Sequence, residues 1–250
     1  MDEGTQVRLQ KGARSRAAAA ARPRAVANPA AGLGRLLGRA FYETRPEVVC
    51  PRLLGKVLVH RSEAGVMAGR IVEAEAYLGP HNDPPDPAAH SHRGPTPRTL
   101  VLFGLAGHSY VYSIYGRYFC LNVSCESEGL AGSVLLRALE PVAGLELMAQ
   151  NRGLPAGLEM NDTVLRQLTS GPSRLCQAMG ITRPSHNGLD LTDPASPLQI
   201  REDGFVLEKA MATPRIGISE AVDWPLRFVV PGNPCVSGPK GLKGRLVAIP

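Results

Sequence analysis

The feature that most constrains the fold is a ten-residue stretch, 70–79, that alternates apolar side chains with carboxylates and a phenol. Alternate side chains of a β-strand point to opposite faces. The pattern therefore predicts one face with Ile71, Glu73, Glu75 and Tyr77, and a small apolar core face with Val72, Ala74, Ala76 and Leu78. Two carboxylates on one face raise the pKa of one of them unless cations lie nearby. The stretch indicates either a solvent-facing strand edge or a functional site.

The composition predicts a basic N-terminal segment followed by one folded domain. The chain has 250 residues, 44% of them hydrophobic, which suffices for one well-buried domain or at most two small ones. Residues 1–31 hold six Lys or Arg against two acidic residues, so this segment carries +4 of the total charge of +6. Because it lacks core residues, we predict a disordered basic tail over 1–31 and a domain over 32–250. An Arg-rich leader is also typical of a transit peptide.

Several classes of protein are disfavoured by the sequence. No apolar run reaches the roughly 18 residues that a membrane span needs. The five cysteines form no Cys-x-x-Cys pair, so we predict reduced core thiols of a cytosolic protein. His90 and His92 have no acidic or cysteine neighbours at ligand spacing, and we predict no metal. The chain has no P-loop or dinucleotide fingerprint, and we predict no cofactor.

Strand and helix signals do not alternate regularly, which favours an α+β domain on a curved, mostly antiparallel sheet. A hairpin is predicted over 109–123 around Tyr115-Gly116, and a long loop over 79–98, which contains six prolines. The remaining predictions are strands at 56–60, 66–78, 134–139, 205–210, 215–218 and 226–230, helices at 46–54 (capped by Thr44), 142–151, 162–168 and 172–179, and a loop at 183–197.

Four residues suggest a pocket for a flat ligand. Glu75 is a candidate base, and Tyr77, His90 and Tyr112 are flat side chains that could enclose a planar molecule. Each also has an ordinary structural explanation, since tyrosines on strands usually pack in a core and carboxylates often only add solubility.

Three further residues occupy unusual positions. Tyr115 lies at the predicted hairpin tip, where an aromatic ring is badly placed for a core. Asn122 and Arg137 are polar residues within apolar strands, where unpaired burial would be costly. Alternatively, Tyr115 covers a neighbouring surface, and Asn122 and Arg137 only anchor backbone groups.

The chain resembles the 3-methyladenine DNA glycosylase family of the alkyladenine type over roughly residues 36–236. The motifs occur in the family's order, with short gaps. They are the stretch 70–79, Ala88-Ala-His-Ser91, Thr96-Pro-Arg98, Tyr110-Val-Tyr112, Tyr115-Gly116, Tyr118-Phe-Cys-Leu-Asn122, Leu135-Leu-Arg-Ala-Leu-Glu-Pro141 and Gly171-Pro-Ser-Arg-Leu-Cys176. Thr99 and a short 92–95 segment depart from the family's pattern.

The resemblance implies a single mixed domain with a protruding β-hairpin, and a role for each candidate residue. Glu75 would be the general base that activates water, and Arg137 would help to position that water. The base-binding pocket would comprise Tyr77, His90, Tyr112 and Asn122. Tyr115 would intercalate into the DNA and fill the space that a flipped base leaves.

The function predicted from this resemblance is excision of alkylated or deaminated purines from double-stranded DNA by hydrolysis of the N-glycosidic bond. Residues 57–208 contain no lysine, so we predict a monofunctional enzyme without lyase activity. We expect a monomer that is cytoplasmic and nucleoid-associated in a bacterium, or nuclear in a eukaryote. The alternatives are a non-catalytic binder of damaged nucleic acid, and a small-molecule nucleoside hydrolase that uses Glu73 and Glu75.

The predicted tail can be tested by deleting residues 1–31. We expect an unchanged melting temperature, because the segment has no core residues to lose. DNA affinity at low salt should fall, because six cations no longer release counterions from the phosphates. Thermal denaturation and binding titrations at two salt concentrations measure both effects. A large drop in melting temperature would show that the tail packs on the domain.

Overall fold

The computed structural model describes Met1 and residues 31–239 and 241–250, so residues 2–30 of the predicted tail lie outside the described residues. The strands are β1 Arg35–Leu36, β2 Val57–Ser62, β3 Gly65–Tyr77, β4 Ser109–Ile114, β5 Tyr118–Cys125, β6 Gly132–Ala143, β7 Leu198–Glu202, β8 Lys209–Thr213, β9 Arg227–Val229 and β10 Arg245–Ala248. The helices are α1 Pro46–Leu53, α2 Leu145–Asn151, α3 Asp162–Thr169, α4 Pro172–Ala178 and α5 Arg183–His186, with short 3₁₀ turns at Ala31–Leu33, Arg39–Phe41 and Leu100–Phe103.

The strands of the described residues form one antiparallel sheet around β3. The main path runs β1-β7-β2-β3-β6-β5-β4, and β9 pairs with the C-terminal part of β3 and leads to β8 and β10. Helix α1 packs on β3 and α4 on β5, and their apolar side chains join one core with those of the strands. This architecture confirms the predicted α+β class.

Three register shifts interrupt the pairing of β3 with β6, and the two beside Glu73 are bulges that bear on the site. Ile71 pairs with Leu139 and Glu73 with Ala138, so Val72 is an extra residue in β3. Ala74 then pairs with Leu136, so Arg137 is an extra residue in β6. A bulge shifts the alternation of side chains and commonly re-aims one near a functional site.

The first bulge corrects the predicted faces of β3. Ile71 joins the main core with Ala74 and Ala76, whereas Val72 lies in a separate apolar cluster with Ala138 and Cys235. Simple alternation had placed Ile71 and Val72 the other way round. The solvent-facing interpretation is also wrong, because β3 lies between β2, β6 and β9 and its two carboxylates are fully buried.

The predicted hairpin is confirmed. Strands β4 and β5 pair from Ser109 with Val123 to Ile114 with Tyr118. Tyr115 and Gly116 form the turn with φ angles of 50° and 73°, the left-handed conformation that tight hairpin turns require. A tyrosine adopts this conformation only at a cost of about 1–2 kcal/mol. Its side chain is 91% exposed, so no core packing explains it.

Other element boundaries differ from the predictions. Thr44 does not cap α1; Arg45 occupies the cap position and makes no side-chain cap bond. The strand predicted at 205–210 begins at Lys209, and Phe205 instead packs against the guanidinium of Arg70, 4.4 Å from its ring centroid. The helix predicted from 142 begins at Leu145, because β6 continues to Ala143. Strands β1, β7 and β10 and helix α5 were not predicted.

The segment 215–218 is not a strand, and its polar groups bond to β3 and to the loop 79–98. The Ile216 N–H donates to Glu75 Oε1 over 2.8 Å. The guanidinium of Arg215 donates to both oxygens of Asp86, over 2.5 and 2.9 Å, and to the carbonyl of Ala76. The Asp86–Arg215 pair is fully buried and joins this segment to the loop 79–98, which has no helix or strand, as predicted.

Removing the Arg215 charge should strongly destabilise the fold. Arg215→Met leaves Asp86 buried without its partner, which costs roughly 3–5 kcal/mol. We therefore expect the melting temperature to fall by on the order of 10 °C. The matched control is Arg35→Met, whose partner is Glu202 and whose side chain is 76% exposed; it should cost less than about 1 kcal/mol. Equal melting temperatures for the two variants would contradict the role assigned to the Asp86–Arg215 pair.

Candidate active site

A cavity of about 640 Å³ opens between the β4–β5 hairpin, the loop 79–98 and the segment 216–220. Six of the seven predicted site residues line it, and Glu75 lies behind its wall. The lining residues are Tyr77, Pro87, Ala88, His90, Leu102, Tyr110, Tyr112, Ile114, Tyr115, Cys120, Asn122, Ser133, Leu135, Arg137, Pro172, Ile216, Gly217, Ile218, Ser219 and Glu220.

Aromatic rings form one wall of the cavity. The His90 ring lies edge-on to Tyr112, with centroids 4.5 Å apart, and Tyr112 stacks with Tyr110 at 5.6 Å. His90 Nδ1 and the Tyr110 hydroxyl are 3.0 Å apart, within hydrogen-bond distance. Burial, and then the charge of Arg98, lowers the pKa of His90 to about 4. The ring is therefore neutral at physiological pH and offers a flat, uncharged surface.

Asn122 presents an unused polar group to the same cavity. Its side chain is buried on β5, and its Oδ1 has no hydrogen-bond partner in the protein. An unpaired buried acceptor costs roughly 1–3 kcal/mol. Since the residue lines a cavity, a ligand that donates a hydrogen bond would remove that cost.

Glu75 is fully buried and accepts three hydrogen bonds. The donors are the Ile216 N–H at 2.8 Å, the Tyr77 hydroxyl at 2.9 Å and Arg137 Nη1 at 3.3 Å. Burial raises the pKa of Glu75 above its ordinary value, and these donors offset only part of that effect. Tyr77, Arg137 and Ile216 all line the cavity, so Glu75 is one side chain away from it.

Glu73, two residues earlier, has the opposite electrostatic balance. It accepts bonds of 2.8 Å from Nε of both Arg137 and Arg227, and the N–H and hydroxyl of Ser237 donate at 2.6 and 2.8 Å. Burial alone would raise the pKa of Glu73, but Arg137, Arg227 and Ser237 together hold it below its ordinary value. When the pKa values of two neighbouring carboxylates are shifted in opposite directions, the two groups are suited to different roles.

The sequence reasoning did not assign Tyr110 or the segment 216–220 to the site. Tyr110 shares a face with Tyr112 by simple alternation, so this signal was available. The segment 216–220 carries no comparable signal, because Ile216 contributes through its backbone N–H and carbonyl.

Within the described residues, no group of three or more His, Cys, Asp and Glu side chains is arranged to hold a metal ion. All five cysteines are buried and free, as the sequence predicted. No helix in this part of the chain is long and apolar enough to cross a membrane.

Comparisons with known proteins agree with the motif resemblance. The family model described as methylpurine-DNA glycosylase matches residues 40–234. A relative from Koribacter versatilis is 49% identical over 86% of this chain and all of its own length. Relatives from Methanoculleus marisnigri and Clostridium acetobutylicum are 48% and 43% identical over 80% of this chain and 98% and 96% of their own lengths. All three carry the provisional name 3-methyladenine DNA glycosylase. The chain therefore belongs to the methylpurine-DNA glycosylase family.

Proposed function

We propose that this chain is a monofunctional DNA N-glycosylase that flips alkylated or deaminated purines out of duplex DNA and hydrolyses their glycosidic bonds. The observation that carries the proposal is the Glu75 carboxylate. It is buried, its pKa is raised, and it lies directly behind an aromatic-walled cavity whose rim bears Tyr115. Family membership supports the same activity.

The cavity suits a flat, electron-poor base. The rings of Tyr77, His90 and Tyr112 all line it, and aromatic faces attract cationic or electron-poor partners. The unpaired Asn122 Oδ1 supplies one polar contact near the ring edge. A purine inside a duplex cannot reach such a cavity, so the nucleotide must leave the stack at a cost of about a few kcal/mol.

Glu75 can accept a proton from water. An ionised carboxylate has roughly four lone-pair positions, and three are occupied by Ile216, Tyr77 and Arg137. The proposal assigns the remaining position to one water molecule. In the proposed step, the water oxygen bonds to the sugar carbon, its proton moves to Glu75, and the glycosidic electron pair departs with the purine. The raised pKa brings the base closer to the working pH, which favours proton transfer.

The leaving group explains why one carboxylate suffices. An alkylated purine already leaves readily, so the general acid of ordinary glycoside hydrolysis is not required. Glu73 is unsuited to that role, because it is ionised and held by four donors. An amine nucleophile would be needed for lyase chemistry, and residues 57–208, which contain the site residues 75–137, have no lysine.

Tyr115 favours a duplex substrate over the alternatives. Its exposed ring at the cavity rim would stack in the gap that the flipped base leaves. A free nucleoside leaves no such gap, which argues against a small-molecule hydrolase. A buried carboxylate of raised pKa is unnecessary in a mere damage sensor. We also propose that the protein acts as a monomer on chromosomal DNA, in the nucleoid if the source is a bacterium and in the nucleus if it is a eukaryote.

Glu75→Gln tests the proposed base. The variant keeps the shape but cannot take the proton, and loss of a general base typically costs about 10²–10⁴ in rate. We expect single-turnover excision to collapse while lesion DNA still binds. Glu140→Gln is the matched control: Glu140 lies on β6, bonds to Asn233 and does not line the cavity. Excision at the wild-type rate by Glu75→Gln would reject Glu75 as the base.

Tyr115→Ser tests duplex action. Base–aromatic stacking is worth about 1–3 kcal/mol, so the flipped population should fall roughly 5- to 150-fold. The loss should be largest for a lesion in a stable pair and smaller in mismatched or single-stranded DNA, where less stacking is disrupted. Tyr115→Phe keeps the ring and should behave as wild type. An equal loss in all three contexts, measured at an unchanged melting temperature, would remove the wedge role.

A further inference from the structure

Glu73 does not line the cavity, yet it is among the nearby side chains that make the most hydrogen bonds. Its carboxylate is fully buried and receives two guanidinium bonds, one backbone N–H and one hydroxyl. A buried carboxylate that had no role would destabilise the fold at this position, since burying an ion costs several kcal/mol. Its position between Arg137 and Arg227 suggests that it acts through one of them.

Arg137 divides its donors unequally between the two carboxylates. Its Nε donates to Glu73 over 2.8 Å, whereas Nη1 reaches Glu75 over 3.3 Å and also lies 3.4 Å from the Ile216 carbonyl. A guanidinium binds a carboxylate most strongly through a two-bond fork. With Nε engaged by Glu73, Glu75 receives one longer bond.

We propose that Glu73 is a positioning residue: by holding Arg137 at Nε, it prevents a forked Arg137–Glu75 pair and so keeps Glu75 able to accept a proton from water. The inference rests on the proposed function. A forked pair would have two consequences. It would fill the last lone-pair position of Glu75, and it would stabilise the ionised form and weaken the base.

Arg227 and Ser237 make this arrangement stable. Arg227 Nε bonds to the same Glu73 oxygen as Arg137, and its other nitrogens bond to Thr213 and to the Ser237 carbonyl. Glu73 therefore stays ionised without drawing Arg137 fully away from Glu75. The two carboxylates and two guanidiniums sum to zero formal charge.

The pH dependence of Glu75 is set by groups from every strand around it and by α1. The titratable and charged groups that face it are Glu73 and Tyr77 on β3, Arg137 on β6, Arg227 opposite it on β9, Cys120 on β5 and Cys50 on α1. Burial keeps both thiols neutral by raising their pKa values. Arg137 is the charged side chain that bonds to Glu75 directly, so its placement decides how basic Glu75 is.

The test is the pH profile of single-turnover excision by Glu73→Gln. Excision requires ionised Glu75, so the rate rises with pH through the pKa of Glu75. The neutral amide of the Glu73→Gln variant holds Arg137 Nε less strongly than the carboxylate does, so Arg137 can fork onto Glu75 and lower that pKa. We expect the acid limb to move down by about one pH unit, and the plateau to fall about 10-fold, less than the loss of a general base would cause. Glu140→Gln is again the matched control and should keep the wild-type profile.

A double variant separates positioning from simple charge and guards against misfolding. Glu73→Gln/Arg227→Met removes one negative and one positive charge, so the net charge around Glu75 is unchanged. Replacing a buried pair together is often nearly neutral for stability, whereas removing one partner is not. Arg137 is still held only by a neutral amide in this variant, so the acid limb should again lie below that of the wild type.

Two results would overturn the inference. One is a folded Glu73 variant, single or double, whose acid limb stays at the wild-type pH. The other is a limb that shifts in Glu73→Gln and returns in the double variant, which would assign the effect to charge alone. Failure of the proposed function looks different: wild-type protein would release no base, or Glu75→Gln would remain active. Circular dichroism establishes folding before any profile is read.

Discussion

Fold and site both depend on one guanidinium that two carboxylates share. Arg137 lies where β3, β6 and β9 meet, and it bonds to Glu73 and Glu75 while Arg227 completes the charge balance. Each buried ion would cost several kcal/mol if it were left unpaired. A one-residue slip of β3 would break every one of these pairs. The cluster therefore acts together with the apolar core to fix the strand register.

The two bulges make that cluster possible. In a regular ladder, residues 72 and 137 would point away from their present neighbours, and the alternation on both strands would continue unbroken. The extra residue in β3 sends Val72 and Glu73 to the same side, and the extra residue in β6 places Arg137 between the two carboxylates. Each bulge leaves a residue out of the ladder, at some cost in backbone pairing. The bonds that Arg137 makes offset that cost.

The sequence was most informative where local pattern decides the outcome. Alternation and turn chemistry predicted the hairpin, the exposure of Tyr115, and the polar residues Asn122 and Arg137 within apolar strands. Sequence-based prediction failed where contacts between residues far apart in the chain decide the structure. Glu73 was given no role of its own, because its donor Ser237 lies 164 residues along the chain. The segment 215–218 was predicted as a strand, because Ile216 and Ile218 are β-branched and the backbone bond to Glu75 is invisible in the sequence.

Strand β4 connects the residue proposed to bind the flipped base with the residue proposed to fill the gap in the DNA. Tyr112 lines the wall of the cavity, and Tyr115 follows three residues later at the tip. Three residues of strand span roughly 10 Å. A paired ribbon anchored to the sheet through β5 and β6 holds that spacing nearly constant. The two rings, one proposed to fill the gap and the other to receive the base, therefore keep a fixed separation that a wedge on a loop would not have. The strained φ of Tyr115 fits this arrangement, because a tight turn is what places the ring at the very end of the ribbon.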